Sequence, residues 1–332
     1  MTTPYTVELT ETNTPAWALR RHTGLGASDA PVVLELSPWV TPYQLWEEKQ
    51  SDVVTDEQNE AMEFGHLMEP IAVELFRRRH TNPDSTRHAY LGDIEPSPGL
   101  IRSNPYPWLL ASLDSVIVED GGARVPGQIK NVSAYKQSDW SEGVPDMYTI
   151  QVLQEMLVLG GPGAGVDHGY LLPIFGGNHM PEPMRIEWDQ RFVDYYLEES
   201  EAWWTRHMVG GEQPEYTVGD DLSSVFAGVK GQSVTLSPEN VARAARHKEL
   251  GGIIKDLTAE RDALKFDVQL EMQDSTEAVT ILPDNSERLV ATWRPHARPA
   301  RSLDKARLEA EHPGLLEQYM VDGKTPRPFL SK

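Results

Sequence analysis

Two apolar runs separated by a turn signal constrain the fold of this chain more than any other feature of its sequence. The runs LLASLDSVIV (109–118) and VPGQIKNV (125–132) have the length and residue types of β-strands. The segment EDGG (119–122) between them is typical of a tight turn. The sequence therefore predicts a β-hairpin, around which the rest of the chain must be arranged.

Polar residues stand inside both predicted strands. Asp114 lies in the first, and Gln128 and Lys130 lie in the second. Residues two apart in a strand share a face, so Gln128 and Lys130 are predicted to project together while Ile129 points into the core. A carboxylate, a polar ligand and a lysine on neighbouring strands are the layout of a metal-dependent phosphodiesterase. The same residues also fit an ordinary surface hairpin, so the pattern alone does not decide.

The elements on either side of the hairpin predict an α/β fold. Helical patterns occupy 14–50 in pieces, 58–80, 189–208 and a segment opened by Pro145, while 168–175 and 184–188 are typical of strands. We expect a first domain over 1–215, a linker over 216–235 and a C-terminal helical and β extension over 236–332. In that extension, 237–272 is helical with a break expected at Gly251–Gly252, and 276–295 contains two short strands.

Charge and cysteine content exclude several classes of protein. The net charge is −21, and residues 1–215 hold 33 acidic against 14 basic residues, which disfavours a general nucleic-acid coat protein. The chain has no Cys, which excludes disulfides, thiolate zinc sites and iron–sulfur clusters. No apolar stretch is long enough to span a membrane, and the acidic, polar first thirteen residues do not suit a signal peptide. We therefore expect a cytoplasmic protein.

Four segments, in order, resemble the YqaJ-like phage recombination nucleases, relatives of lambda exonuclease in the PD-(D/E)xK superfamily. The resemblance covers about residues 17–208, and its segments are RRHTGLGASDAPVVLELSPWVTPYQLWEEK (20–49), FGHLMEP (64–70), ASLDSVI…GQIKN (111–131) and YTIQVLQEMLVLG (148–160). It implies a restriction-endonuclease-like fold, in which helices flank a mixed central sheet. The activity implied is Mg²⁺-dependent, or Mn²⁺-dependent, 5′→3′ digestion of linear double-stranded DNA. The implied partners are DNA ends, a single-strand annealing protein and further copies of the chain in a trimer.

The resemblance also implies roles for individual residues. Glu69, Asp114 and Gln128 would be metal ligands, Lys130 would assist the attacking water, and Gln151 would lie near that water or the scissile phosphate. Two neighbours of these motifs, Gln154 and His66, are instead expected to be structural.

A second set of residues resembles the part of the family that holds a terminal 5′-phosphate. Arg20 and Ser28 match those positions, and Arg21 is an alternative to Arg20. A guanidinium binds phosphate with two hydrogen bonds, and backbone amides at a helix start favour anions. Farther along, Arg298 and Arg301 lie in a basic stretch, 294–307, that we expect to contact DNA or a partner.

Gln128 departs from the family pattern, which has Glu at this position. An amide oxygen can still contact a cation, but it brings no charge, so cleavage should be impaired. We favour a substitution made to trap DNA uncut, because the neighbouring motifs are intact; a natural variant that binds DNA ends and recruits an annealing protein is the alternative. Related Cas4-like or RecB-like nucleases commonly carry an iron–sulfur cluster, which the lack of Cys disfavours.

Overall fold

The computed structural model describes residues 3–53, 60–226, 228–295, 304–319 and 329. The chain divides into two compact units, Met1–Asp220 and Asp221–Lys332. The expected boundaries at 215 and 235 stay a prediction.

The strands of the first unit form two sheets. They are β1 (Tyr5–Leu9), β2 (Asp93–Pro96), β3 (Leu100–Ser103), β4 (Leu110–Ser112), β5 (Ser115–Val118), β6 (Arg124–Val132), β7 (His168–Phe175) and β8 (Met184–Glu187). The central sheet has the order β2-β5-β6-β7-β8, and the smaller sheet has the order β1-β3-β4. In the central sheet β6 pairs with β7 in parallel, while the other pairs are antiparallel. The sheet is therefore mixed, as expected.

Helices surround this sheet. They are α1 (Pro15–Arg21), α2 (Ala30–Val33), α3 (Pro42–Gln50), α4 (Glu60–His80), α5 (Asp146–Val158) and α6 (Gln190–Trp203), and α6 continues as a π-helix over Trp204–Val209. Two of them position the candidate site: α4 packs on β2 and β6, and α5 packs on β6 and β7. The α/β class, with helices flanking a mixed sheet, is confirmed.

The predicted hairpin is present as β5 and β6, and its close fit depends on a glycine. The Ser115 hydroxyl donates a hydrogen bond to the Gly127 carbonyl at 2.7 Å. A Cβ atom at residue 127 would lie 2.6 Å from the same hydroxyl oxygen, closer than two such atoms can approach. Gly127 therefore lets the two strands meet just before Gln128.

The prediction that Asp114 lies on a continuous strand is wrong. The run 109–118 divides into β4 and β5, which belong to different sheets, and Asp114 lies in the connection between them. The Asp114 side chain serves Ile129 in place of a neighbouring strand, because its carboxylate accepts a hydrogen bond from the backbone N–H of Ile129 at 2.7 Å. The break in the strand is thus the feature that directs this carboxylate at β6.

The second unit contains α7 (Leu222–Val225), α8 (Pro238–Met272), β9 (Glu277–Ile281), β10 (Glu287–Thr292), α9 (Lys305–Glu311) and α10 (Leu315–Gln318). The β9–β10 hairpin and a helical C-terminal extension confirm the expected class of this region. The break expected at Gly251–Gly252 is wrong, since α8 runs through both glycines. Each glycine costs a helix about 1 kcal/mol, and a 35-residue helix rich in Ala, Glu, Lys and Leu tolerates that cost.

Within the described ranges, every helix is too short or too polar to cross a membrane.

Candidate active site

Two hydrogen bonds from residues of β6 hold the Asp114 carboxylate in place. Its Oδ2 atom accepts hydrogen bonds from the Ile129 N–H at 2.7 Å and from the Gln128 Nε2 group at 2.5 Å. Although part of the residue is open to solvent, enclosure of the carboxylate is the largest influence on its pKa, which is raised. The charge of Lys130 and the Ile129 hydrogen bond oppose that rise. A carboxyl group that is strongly desolvated and still faces a lysine is typical of functional sites.

Gln128 and Lys130 project from β6 on the face predicted from their spacing. Gln128 is 3% exposed, and its Oε1 atom is buried with no hydrogen-bond partner among the described residues. Lys130 is half-buried, with its Nζ atom 5.4 Å from the centre of the Tyr148 ring. The amide group of Gln128 therefore donates toward Asp114 and leaves an oxygen lone pair unused.

Glu69 approaches the same place from α4. Burial raises the pKa of Glu69 to about 7; the negative charge of Asp114 adds to the rise and Lys130 opposes it. His66, one turn earlier on α4, lies near enough for its charge to lower the pKa of Asp114. The structure thus brings Glu69, Asp114 and Lys130 within electrostatic range of one another, although 61 residues separate Glu69 from Lys130 in the chain.

The helix α5 contributes Gln151 and an acidic residue that the motifs did not single out. Glu155 follows Gln151 by four residues, so the two side chains share a face of α5. Burial raises the pKa of Glu155 well above its ordinary range; Asp114 adds to that rise, and Lys130 and Gln151 oppose it. The clue available in the sequence was a Glu inside an otherwise apolar helical segment, four residues after a proposed site residue.

Gln154 has the structural role expected of it. Its Nε2 group donates to the carbonyls of Leu25 and Leu110, each at 2.8 Å, and its Oε1 atom accepts from the Tyr196 hydroxyl. This buried amide ties the segment that follows α1 to strand β4, which leads into Asp114.

The structure does not join Arg20 to Ser28. Arg20 instead pairs with Glu8 on β1. Arg21 is the neighbour of Ser28, since its Nη2 group donates to the Ser28 hydroxyl at 2.9 Å. Successive residues of a helix point about 100° apart, so only one of two adjacent arginines can face the turn that carries Ser28. The alternative, Arg21, is therefore the residue that the structure brings to Ser28.

The residue after Ser28, Asp29, forms a buried ion pair with Lys49. Asp29 accepts from the ammonium group of Lys49 at 2.6 Å and from the N–H of Gly26 at 2.8 Å, and Arg21 approaches its other oxygen to 3.8 Å. The charges of Lys49 and Arg21 outweigh the burial of this carboxylate and leave its pKa lowered. Asp29 is thus an anion that anchors the turn, and it leaves Ser28 exposed.

Another cluster of possible ligands lies apart from Asp114. His80, His88 and Glu182 bring one ligand atom each to within 4.8 Å of one another. Two imidazoles suit a transition metal better than Mg²⁺, which prefers oxygen ligands. Arg298 and Arg301, the expected DNA contacts of the extension, lie outside the described residues.

Comparison with known proteins agrees with the motifs. The family model for the YqaJ-like viral recombinase domain matches residues 16–165. A protein of Bacillus subtilis (strain 168), known as uncharacterized protein YqaJ, is 26% identical over 309 residues, covering 91% of this chain and 89% of its own length. The resemblance predicted from the four segments is therefore confirmed over residues 16–165.

Two solved structures are also similar. The crystal structure of an alkaline exonuclease (LHK-Exo) from Laribacter hongkongensis is 17% identical, covers 59% of this chain and 94% of its own, and superposes with a TM-score of 0.46. The structure of LHK-Exo in complex with dAMP covers the same shares at 15% identity and a TM-score of 0.43.

Proposed function

We propose that this protein is a divalent-cation-dependent exonuclease that digests linear double-stranded DNA in the 5′→3′ direction, because residues 16–165 match the family model for the YqaJ-like viral recombinase domain. It would act in the cytoplasm of a bacterial host during phage-type recombination. The observation that carries the proposal is that Glu69, Asp114 and Lys130, from three separate segments, lie within electrostatic range of one another.

The residues at this place fit a hard cation. Mg²⁺ and Mn²⁺ take carboxylate and carbonyl oxygens, and the site offers the carboxylates of Glu69 and Asp114 together with the unpartnered Oε1 atom of Gln128. Those three residues would hold the cation. When bound, it would make water more acidic and offset the charge of the scissile phosphate.

The protein's own groups then have separate tasks. The ammonium group of Lys130 attracts the phosphate and orients the attacking water, and Gln151 donates to that water or to the phosphate. Arg21 and Ser28 hold the 5′-phosphate of the strand end, which sets the distance from the end to the scissile bond. Arg298 and Arg301 add DNA contacts from the extension. The proposed assembly is a trimer around DNA that passes the remaining single strand to an annealing protein.

Gln128 should lower the rate of this reaction. Its amide keeps the cavity filled, so the fold and the affinity for DNA ends should persist while stabilisation of the transition-state charge is lost. The change Gln128→Glu should raise the cleavage rate by about a hundredfold, as expected for one strong electrostatic contact worth roughly 3 kcal/mol.

The test is a gel assay on 5′-phosphorylated linear duplex, with the wild type and Gln128→Glu at equal Mg²⁺. Closed circular duplex is the substrate control, and Gln128→Glu combined with Asp114→Asn is the matched inactive protein. Equal rates for the wild type and Gln128→Glu would remove residue 128 from the metal site. Degradation of closed circles at the same rate as linear DNA would exclude an exonuclease.

The second candidate function is a natural DNA-end-binding protein that recruits an annealing partner without cutting. The observation that favours it is the hydrogen bond from Gln128 to Asp114, which occupies the carboxylate that a cation would need. This function predicts that Gln128→Glu gains no activity and that end binding is the same with Mg²⁺ and with a chelator.

A further inference from the structure

Glu155 is a buried acid that, among the described residues, has no ion pair and only Gln151 as a nearby polar neighbour. Among the described residues, Asp29 and Glu155 are the two buried carboxylates. Asp29 has the ammonium group of Lys49 at 2.6 Å. Glu155 is 0% exposed, and neither of its oxygens makes a hydrogen bond of good geometry within the part of the chain that the structure describes. A carboxyl group without a partner is costly to bury, so its position calls for a ligand or a function.

The groups around Glu155 are those of the candidate site. Asp114 and Lys130 are the charged residues that act on it, and Gln151 lies one helical turn away, near the carboxylate but without hydrogen-bond geometry. The helix that carries Glu155, α5, packs on β6, the strand that carries Gln128. Two oxygens of Glu155 and one of Gln128 are buried and lack a hydrogen-bond partner among the described residues.

Gln128 and Glu155 together set the amount of negative charge in the site. If both were Glu, the site would hold four carboxylates, with Glu69 and Asp114 as the other two, facing Lys130. The neutral amide at 128 removes one negative charge and donates to Asp114, which a carboxylate cannot do. The site then keeps three carboxylates, with the third on α5 instead of β6.

We propose that Glu155 is a ligand of the divalent cation in this chain and supplies the carboxylate that Gln128 lacks. This inference rests on the proposed function, because it assumes a cation beside Asp114. It concerns cation binding, and the effect of Gln128 on the cleavage rate stands as proposed above.

Binding of Mg²⁺ alone to the full-length protein tests the inference, by calorimetry and by the rise in melting temperature with Mg²⁺. Glu155→Gln, which keeps the shape of the side chain, should weaken Mg²⁺ binding by about tenfold or more, the scale expected for losing a metal-site contact. The swap variant, Gln128→Glu with Glu155→Gln, should restore binding to near the wild-type value. Glu63→Gln, an exposed position on α4, is the matched control and should leave binding unchanged.

The outcomes separate the two proposals. If Asp114→Asn weakens Mg²⁺ binding and Glu155→Gln does not, Glu155 is a buried acid without a metal role, and the exonuclease proposal survives. If neither change affects Mg²⁺ binding, both proposals fail. If Glu155→Gln folds only when Gln128→Glu accompanies it, the swap variant decides alone. Binding like the wild type supports the inference, whereas much tighter binding means that Glu155 contributed nothing.

Discussion

Glu69 should make the metal-free protein less stable as the pH rises. Burial raises its pKa to about 7 from an ordinary value of 4.5, so between these values the folded state holds a proton that the unfolded state has released. The free energy of unfolding therefore falls as pH increases through this window. The full shift corresponds to about 3 kcal/mol, and we expect about 2 kcal/mol because Glu69 is partly exposed.

The change Glu69→Gln isolates this contribution, because an amide does not titrate in the window. Urea unfolding of the wild type and of Glu69→Gln, with a chelator at about pH 5 and about pH 8, gives the difference directly. The wild type should lose about 2 kcal/mol relative to the variant between the two conditions. Glu63→Gln on the same helix is exposed and should behave like the wild type. A difference of zero, or one of opposite sign, would show that burial does not raise the pKa of Glu69 in the folded protein.

Three further changes test other parts of the site. In the Gln128→Glu protein, Arg21→Ala should remove the preference for digesting 5′-phosphorylated over 5′-hydroxyl ends. Arg20→Ala should leave this preference unchanged, and the opposite pattern would return the phosphate role to Arg20. Asp114→Asn should abolish cleavage by the Gln128→Glu protein. It should not lower the melting temperature in chelator, because burial already disfavours the charged form of Asp114. Cleavage within a few-fold of that of Gln128→Glu alone would remove Asp114 from the reaction. Lys49→Met should destabilise the fold by about 3 kcal/mol in urea unfolding, since it leaves the buried Asp29 carboxylate with only the Gly26 N–H and Arg21 at 3.8 Å, and a loss below about 1 kcal/mol would contradict that account.

The parts of the site that depend on local pattern could be predicted from the sequence. The spacing of Gln128 and Lys130 placed both side chains on one face of a strand, and turn residues marked the β5–β6 hairpin. The electrostatic proximity of Glu69, on α4, to Asp114, between β4 and β5, depends on tertiary packing, and only the family resemblance predicted it.

Two differences between prediction and structure share one physical cause, because in each a tertiary contact decides what the local sequence leaves open. Asp114 lies in a run with strand composition, yet its hydrogen bond with the Ile129 amide replaces strand pairing. Arg20 and Arg21 are identical in type, and the position of Glu8 on a distant strand decides which of them faces Ser28. Glu155, which the motifs did not single out, is visible in the sequence as a charge in an apolar helix, but only the packed structure shows that its oxygens lack a well-formed hydrogen bond among the described residues.

The charges around Lys130 indicate that the cation must bind to the site before the DNA phosphate does. It lowers the pKa of Glu69, Asp114 and Glu155, so a single ammonium group faces three carboxyl groups. A DNA phosphate brings further negative charge, and residues 1–215 already hold 33 acidic against 14 basic residues. Repulsion should therefore keep the scissile phosphate away until a divalent cation has bound and the carboxyl groups have lost their protons. Productive DNA binding should accordingly depend on Mg²⁺ and strengthen as pH rises through the pKa of Glu69, even while the metal-free fold becomes less stable over the same range.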